Sequence, residues 1–277
     1  MSEPGGQDSD RERDISRILS AWPYDDDELM VRVIRTEDGG ERIQVRLELG
    51  LMQMELDGRP DGQRVGNFES WLAFYAAQQE AHDQENPDGK PFQLEPDDCQ
   101  KLLQEGVQFY HRYISFWQLG RYELCARDTS RNLRLFDFVR RFARRDRDKL
   151  LFDQWRPYVT MMRTRAVATP LVELEDIPAA LRVIESGIEG IHQFLEDYGQ
   201  EDRAADCNEL VHLEQWRDEL QREAPEERRQ LTVDKLPESP LDRLRKQLEQ
   251  AVTEERYEDA AALRDQIAQL RDSSSHQ

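Results

Sequence analysis

From Pro96 almost to the end of the chain, apolar side chains return every three or four residues, the repeat of a helix that buries one face. Nothing else in the sequence constrains the fold as much. The first such segment carries Leu102, Leu103, Val107, Phe109, Tyr110, Tyr113, Phe116 and Trp117. That set is too broad for a surface helix, whose apolar stripe lies on one side, so a central helix is expected. Pro96 with Asp97 and Asp98 suits its first turn, where N–H groups are unpaired and negative charge is favoured. A second helix is expected over 122–145, with Leu124, Leu133, Leu135, Phe136, Phe138, Val139 and Phe142 apolar. A third is expected over 150–168, with Pro157 either kinking it or marking its true start. Pro178 opens a fourth, through Leu181, Ile184, Ile188, Ile191, Phe194 and Leu195 to about Gly199. A fifth covers 202–223, with Leu210, Leu213, Trp216 and Leu220 on one side.

Ahead of Pro96 the spacing changes. Residues 1–13 are rich in Gly, Ser, Asp and Glu, and disorder is expected there. Ile15, Ile18 and Leu19 suggest one short helix ending near Trp22-Pro23. Residues 31–35 read as a strand, and Asp38-Gly39-Gly40 is a hairpin turn signal. Ile43, Val45, Leu47 and Leu49 alternate with polar residues, as in a half-buried strand. Leu51 to Leu56 is expected to continue that strand past a bulge at Gly50. Residues 57–62 are turn chemistry, 68–82 a helix with Phe68, Trp71, Leu72 and Tyr75, and 86–91 a linker. The segment Leu119-Gly120-Arg121-Tyr122-Glu123 resembles the inter-helix turn of a tetratricopeptide repeat, without its closing Pro and without the family's period of about 34 residues. The fold class expected is mainly α: a β-hairpin unit with a helix over 14–85, a helical repeat-like, weakly tetratricopeptide-like bundle over 96–223, a charged linker over 224–238 and a C-terminal antiparallel helical hairpin over 239–272.

Chemistry is conspicuous by its motifs' absence. The only Gly-Lys pair, Gly89-Lys90, precedes a proline, so there is no P-loop, and GxSxG, HExxH and GxGxxG do not occur. Cys99, Cys125 and Cys207 are odd in number and widely spaced, which suggests neither a disulfide framework nor a zinc site. Acidic runs such as Asp25-Asp26-Asp27-Glu28 read as solvated loops in a chain with 58 acidic residues. No catalytic residue, metal site or cofactor is expected. The N-terminus lacks an apolar signal core, no apolar run approaches the roughly 20 residues that span a bilayer, and a cytoplasmic location without membrane contact follows.

The tail carries the clearest signal. Ser239 is a good N-cap, Pro240 suits the first helical position, and Leu241, Leu244, Leu248 and Ala251 share one face. Ala260, Leu263, Ile267 and Leu270 form a second stripe after the short polar stretch at 254–257. Leu244, Leu248, Ala251, Tyr257, Glu258, Ala260, Ala261, Leu263, Arg264, Asp265, Ile267 and Leu270 together resemble the UVR motif, the helical hairpin of the excision-repair proteins UvrB and UvrC. The family usually has Phe where Tyr257 stands. The resemblance covers about 32 residues of 277. It implies protein docking through Leu244, Leu248, Ala251, Tyr257, Ala260, Leu263, Ile267 and Leu270 against another UVR-type hairpin, from a second copy or from a UvrB/UvrC-like protein. It also implies a DNA-repair context, or alternatively a stress system of Clp-type chaperones and kinase activators, where related hairpins occur. The activators' CxxC pairs are missing here, as are the UvrB motor and the UvrC nuclease motifs.

One constellation points elsewhere. The chain's net charge is −20, yet 127–165 holds twelve Arg and Lys against five Asp, while 173–228 holds seventeen acids against five bases. Arg127, Arg131, Arg134, Arg141 and Arg145 approximate one helical stripe. They would either track phosphates, with Phe136, Phe138 and Phe142 stacking on bases, or pair internally with the acidic segment or the N-terminal region. A dedicated nucleic-acid binder tends to a pI above about 9, and this chain has 4.7. Internal pairing is therefore expected, and direct nucleic-acid contact is not. The overall expectation is a non-catalytic interaction protein or adaptor.

Overall fold

The computed structural model describes residues 14–223 apart from Asp38. The expected disordered tail over 1–13, the linker over 224–238 and the docking hairpin over 239–272 lie outside the described residues. The chain divides into two compact units, one through Leu220 and one from Gln221.

After a short helix α1 (Ser16–Ala21), strands β1 (Val31–Arg35) and β2 (Glu41–Leu47) pair antiparallel, Val33 facing Ile43. Gly39 takes a φ of 82° in the turn between them, a left-handed conformation that costs glycine little. The expected continuation through a bulge at Gly50 is replaced by a reversal. β3 (Gly50–Glu55) runs back along β2, with Met52 opposite Val45 and Met54 opposite Ile43. Arg46 makes this possible: its guanidinium donates to the carbonyls of Leu47 and Gly50 at the turn and of Trp22. Because the strand ends there, Leu47 and Leu49 do not join the inward row and are exposed. Ile43, Val45 and Met54 do, and belong to the main core. The other sheet face is also covered. Arg32 lies 4.1 Å from the Trp22 ring and bonds Gln44, and Arg46 sits over Tyr24.

Helix α2 (Trp71–Glu85) starts at Ser70, whose hydroxyl accepts from Ala73 N at 3.0 Å. Helix α3 (Pro96–Gln118) starts with a reciprocal capping box between Glu95 and Asp98. Gly120, at φ 68°, turns the chain into α4 (Tyr122–Phe142). The helix expected to reach 145 stops at Phe142, because Leu94 N takes the Phe142 carbonyl at 2.8 Å and Arg144 N bonds the Leu94 carbonyl. The segment expected as one helix over 150–168 is two, α5 (Asp146–Asp153) and α6 (Arg156–Glu173), so Pro157 marks a start and not a kink. Its missing N–H is unneeded in a first turn. Then follow α7 (Ile177–Asp197), a 3-10 turn (Glu201–Asp206) and α8 (Asn208–Glu223).

The protein is thus mainly helical with a small three-stranded antiparallel sheet at its N-terminal end. Helix α4 packs against both α3 and α6, and α7 lies on α6. One continuous core joins sheet and helices, from Ile43 and Met54 through Leu102, Phe116 and Leu135 to Ile184 and Leu213. Among the described residues no helix is long and apolar enough to cross a membrane.

The α6–α7 contact generates a paired prediction. A Cβ on Gly187 would collide with the Thr164 side chain, whereas one on Gly190 would sit 3.6 Å from Thr160 Cγ2. Overpacking costs about 1–3 kcal/mol, and Ala is favoured over Gly in a helix by about 1 kcal/mol. Gly187→Ala should therefore lower stability in urea denaturation, and Gly190→Ala should leave it unchanged or raise it.

Candidate functional site

Charged side chains inside the bundle come first, because they decide what is left on the surface. Arg112 and Asp128, each 1% exposed, form a two-pronged ion pair at 2.6 and 3.1 Å. Arg112 also donates to the carbonyls of Glu55 and Gly58, at 3.0 and 2.9 Å. Glu105, equally buried, accepts from the Trp71 and Leu72 amides at the start of α2, at 2.7 and 3.2 Å, and pairs with Arg131. Arg59 lies 3.5 Å from the same carboxylate. Burial pulls the Arg131 pKa down, and Glu105 opposes that pull.

This network takes in part of the arginine stripe. Arg127 donates to Asp57 and to the Leu56 carbonyl, both at 2.6 Å, and touches Asp128. Arg131 points inward, 4.0 Å from the Phe109 ring. Arg134, Arg141 and Arg145 are exposed, Arg141 lying over Phe142. Arg145 is not on the α4 face at all, since that helix has ended. The structure therefore does not bring the five arginines into one surface row. The internal partners come chiefly from the 55–61 loop and the bundle's own helices. From the acidic 173–228 segment, Asp197 pairs with Arg140 at 2.8 Å. Phe136 is buried, and Phe138 and Phe142 pack on each other 4.8 Å apart against the core, so none of the three presents a free stacking face.

Two of the three cysteines are buried. Burial, with nearby carboxylates, pushes the Cys99 and Cys125 thiols up to about 12, so both stay protonated at neutral pH. Asp25, Asp26 and Asp27 bring their carboxylates within 4.8 Å of one another on an exposed bend, where acids commonly stand without an ion.

The described residues also form a cleft of about 280 Å³ between α3, α4 and the α5–α6 corner. Leu103, Val107, Tyr110 and Tyr113 come from α3, Asn132 and Phe136 from α4, and Phe152, Trp155 and Tyr158 from the corner. Its lining contains no Asp, Glu, Lys or Arg. Val107, Tyr110 and Trp155 stand at its mouth with 47%, 37% and 55% of their surfaces open. The wide apolar face of α3 predicts a central helix, and α3 does pack against α4 in the middle of the bundle. That surplus width was the available signal for the cleft: it includes two residues that end up lining open space. Trp155 gave no signal, because it falls between two helices and belongs to no stripe.

The two classes of arginine should separate on mutation. Arg131→Ala leaves Glu105 as a buried charge without its main partner, which should cost about 3–5 kcal/mol. Arg145→Ala at the surface should fall within about 0.5 kcal/mol of the parent. Urea denaturation of both variants checks this.

The eight tail residues assigned to docking, Leu244, Leu248, Ala251, Tyr257, Ala260, Leu263, Ile267 and Leu270, lie outside the described residues. For that region the comparisons with known proteins speak. No curated protein and no solved structure matches the chain. A family model does, the UvrB/uvrC motif, over residues 238–273, a span that encloses all eight. The C-terminal region of the chain therefore matches the UVR motif.

Proposed function

We propose that the protein is a non-catalytic adaptor that docks through its UVR motif onto a second hairpin of the same kind, carried by another copy or by a UvrB/UvrC-like protein, and that it acts in the cytoplasm in excision repair. The observation that carries this reading is the motif match over 238–273. The physical support is a mismatch between what the hairpin orders and what it can bury alone. It holds roughly six large aliphatic side chains, worth about 1.5–3 kcal/mol each when buried, while ordering its backbone costs about 1–2 kcal/mol per residue. Such a hairpin gains stability by laying its stripe against another.

The absence of catalytic motifs supports a role without turnover. The commitment of Arg127 and Arg131 to internal carboxylates supports an indirect connection to nucleic acid, through the docked partner. Wild-type protein should then give no saturable binding of single- or double-stranded DNA at physiological salt.

The docking reading is tested with Leu248→Asp and Ile267→Asp in the full chain. Both should abolish pull-down by a UvrB- or UvrC-type hairpin, and any self-association seen by sedimentation, with the melting temperature of the helical bundle unchanged. Retention of the partner and of the sedimenting mass by both variants would overturn the proposal.

A further inference from the structure

We propose that the cleft beside α3 is a binding site for a small uncharged molecule, built on about two fused flat rings and carrying a hydrogen-bond acceptor. This site is independent of the docking tail.

Four observations converge on that chemistry. The first is charge. Charged residues make up 35% of the chain, yet none lines the cleft. An ionised ligand would lose its hydration there and meet no counter-charge, which is costly. The second is size. An apolar cavity of about 150 Å³ holds one benzene, and this cleft measures about 280 Å³, room for two fused rings. The third is shape. The walls are largely aromatic: the Tyr110 ring lies 5.5 Å from Tyr113 and 6.3 Å from Tyr158, and Phe136 and Phe152 meet 6.2 Å apart. These rings meet one another edge to face or tilted, so the walls offer both ring faces and ring edges, which suit an aromatic guest. Trp155, more than half open at the mouth, is placed to cover it.

The fourth observation is a polar group without an occupation. Tyr113 lines the cleft and is 1% exposed, and its hydroxyl has no hydrogen-bond partner among the described residues. The hydroxyl is not one of the fully buried unpaired atoms, so it keeps access to the cleft and is free to donate to an acceptor brought by a guest. Burial and the neighbouring phenols of Tyr158 and Tyr110 push its pKa upward, so it is a donor at neutral pH. Asn132, another polar wall residue, is partly engaged. Its amide donates to the Gly106 carbonyl at 3.0 Å and its oxygen accepts from Arg131 at 3.2 Å. Burial lowers the pKa of His111 and keeps that ring neutral too.

The test is calorimetric titration of the full chain with two probes of similar size. Coumarin is a neutral bicyclic lactone with a carbonyl acceptor, and naphthoate is its ionised counterpart. Coumarin should saturate one site, and naphthoate should bind at least about tenfold more weakly. Tyr113→Phe removes only the hydroxyl and should weaken coumarin about tenfold, the value of one hydrogen bond. It should not lower the melting temperature, because that hydroxyl makes no internal bond to lose. Leu103→Trp fills the cleft and should abolish binding. Should that variant unfold, Val107→Trp at the exposed mouth serves the same purpose. The proposal falls if coumarin does not saturate the wild type, if a folded filling variant binds it as tightly as wild type, if Tyr113→Phe binds it unchanged, or if naphthoate binds as well as coumarin.

Discussion

A single buried carboxylate ties four parts of this protein together. Glu105, on the central helix, accepts from the first two backbone amides of α2, pairs with Arg131 on α4 and lies close to Arg59 of the loop after the sheet. Charged groups out of water are expensive, and a buried pair adds little net stability over apolar residues of the same volume. What it adds is a set of conditions that must be met together. The entry of α2, the rotation of α4 and the position of the loop are each fixed by the need to leave no partner alone. Arg112 and Asp128 repeat the device about two turns further along α3, and Arg112 holds the loop carbonyls of Glu55 and Gly58.

The cleft follows from that arrangement. Helix α3 spends buried positions on Glu105 and Arg112, so part of its apolar surface is displaced to where the α5–α6 corner leaves a gap. Val107 and Tyr110 reach solvent there, while polar groups sit inside. The same need for partners explains why Arg127, Arg131, Arg134, Arg141 and Arg145 do not form one surface row. Arg127 and Arg131 are drawn in by Asp57, Asp128 and Glu105, and Arg140 and Arg156 by Asp197, Asp153 and Asp137. The two proposed modes of recognition thus rest on different parts of the chain, one on the tail segment matched by a family model and the other on an apolar cleft in the helical unit.

Much of the fold was legible in the sequence because it is local. Helical spacing reports which side of a segment is buried, and it located α3, α4, α6, α7 and α8. Pro96, Pro157 and Ile177-Pro178 mark helix starts because proline lacks the N–H that a first turn leaves unpaired. Gly39 and Gly120 mark turns because they tolerate positive φ. The UVR motif was legible for the same reason: its stripe, cap and small residues lie within about three dozen positions of one another.

Only the tertiary structure decided the rest, and in each case the deciding partner is far away in sequence. The strand reversal after Leu47 depends on Arg46 collecting turn carbonyls together with that of Trp22. Helix α4 ends at Phe142 because Leu94, from the preceding linker, takes its carbonyl. Arg131 turns inward because Glu105, 26 residues earlier, is already buried. The cleft exists because two helices and a corner fail to fill the space between them, and no one segment encodes that volume. Periodicity states how each helix divides water from core. Which charge finds which partner, and where packing leaves a gap, are set by the contacts that folding brings together.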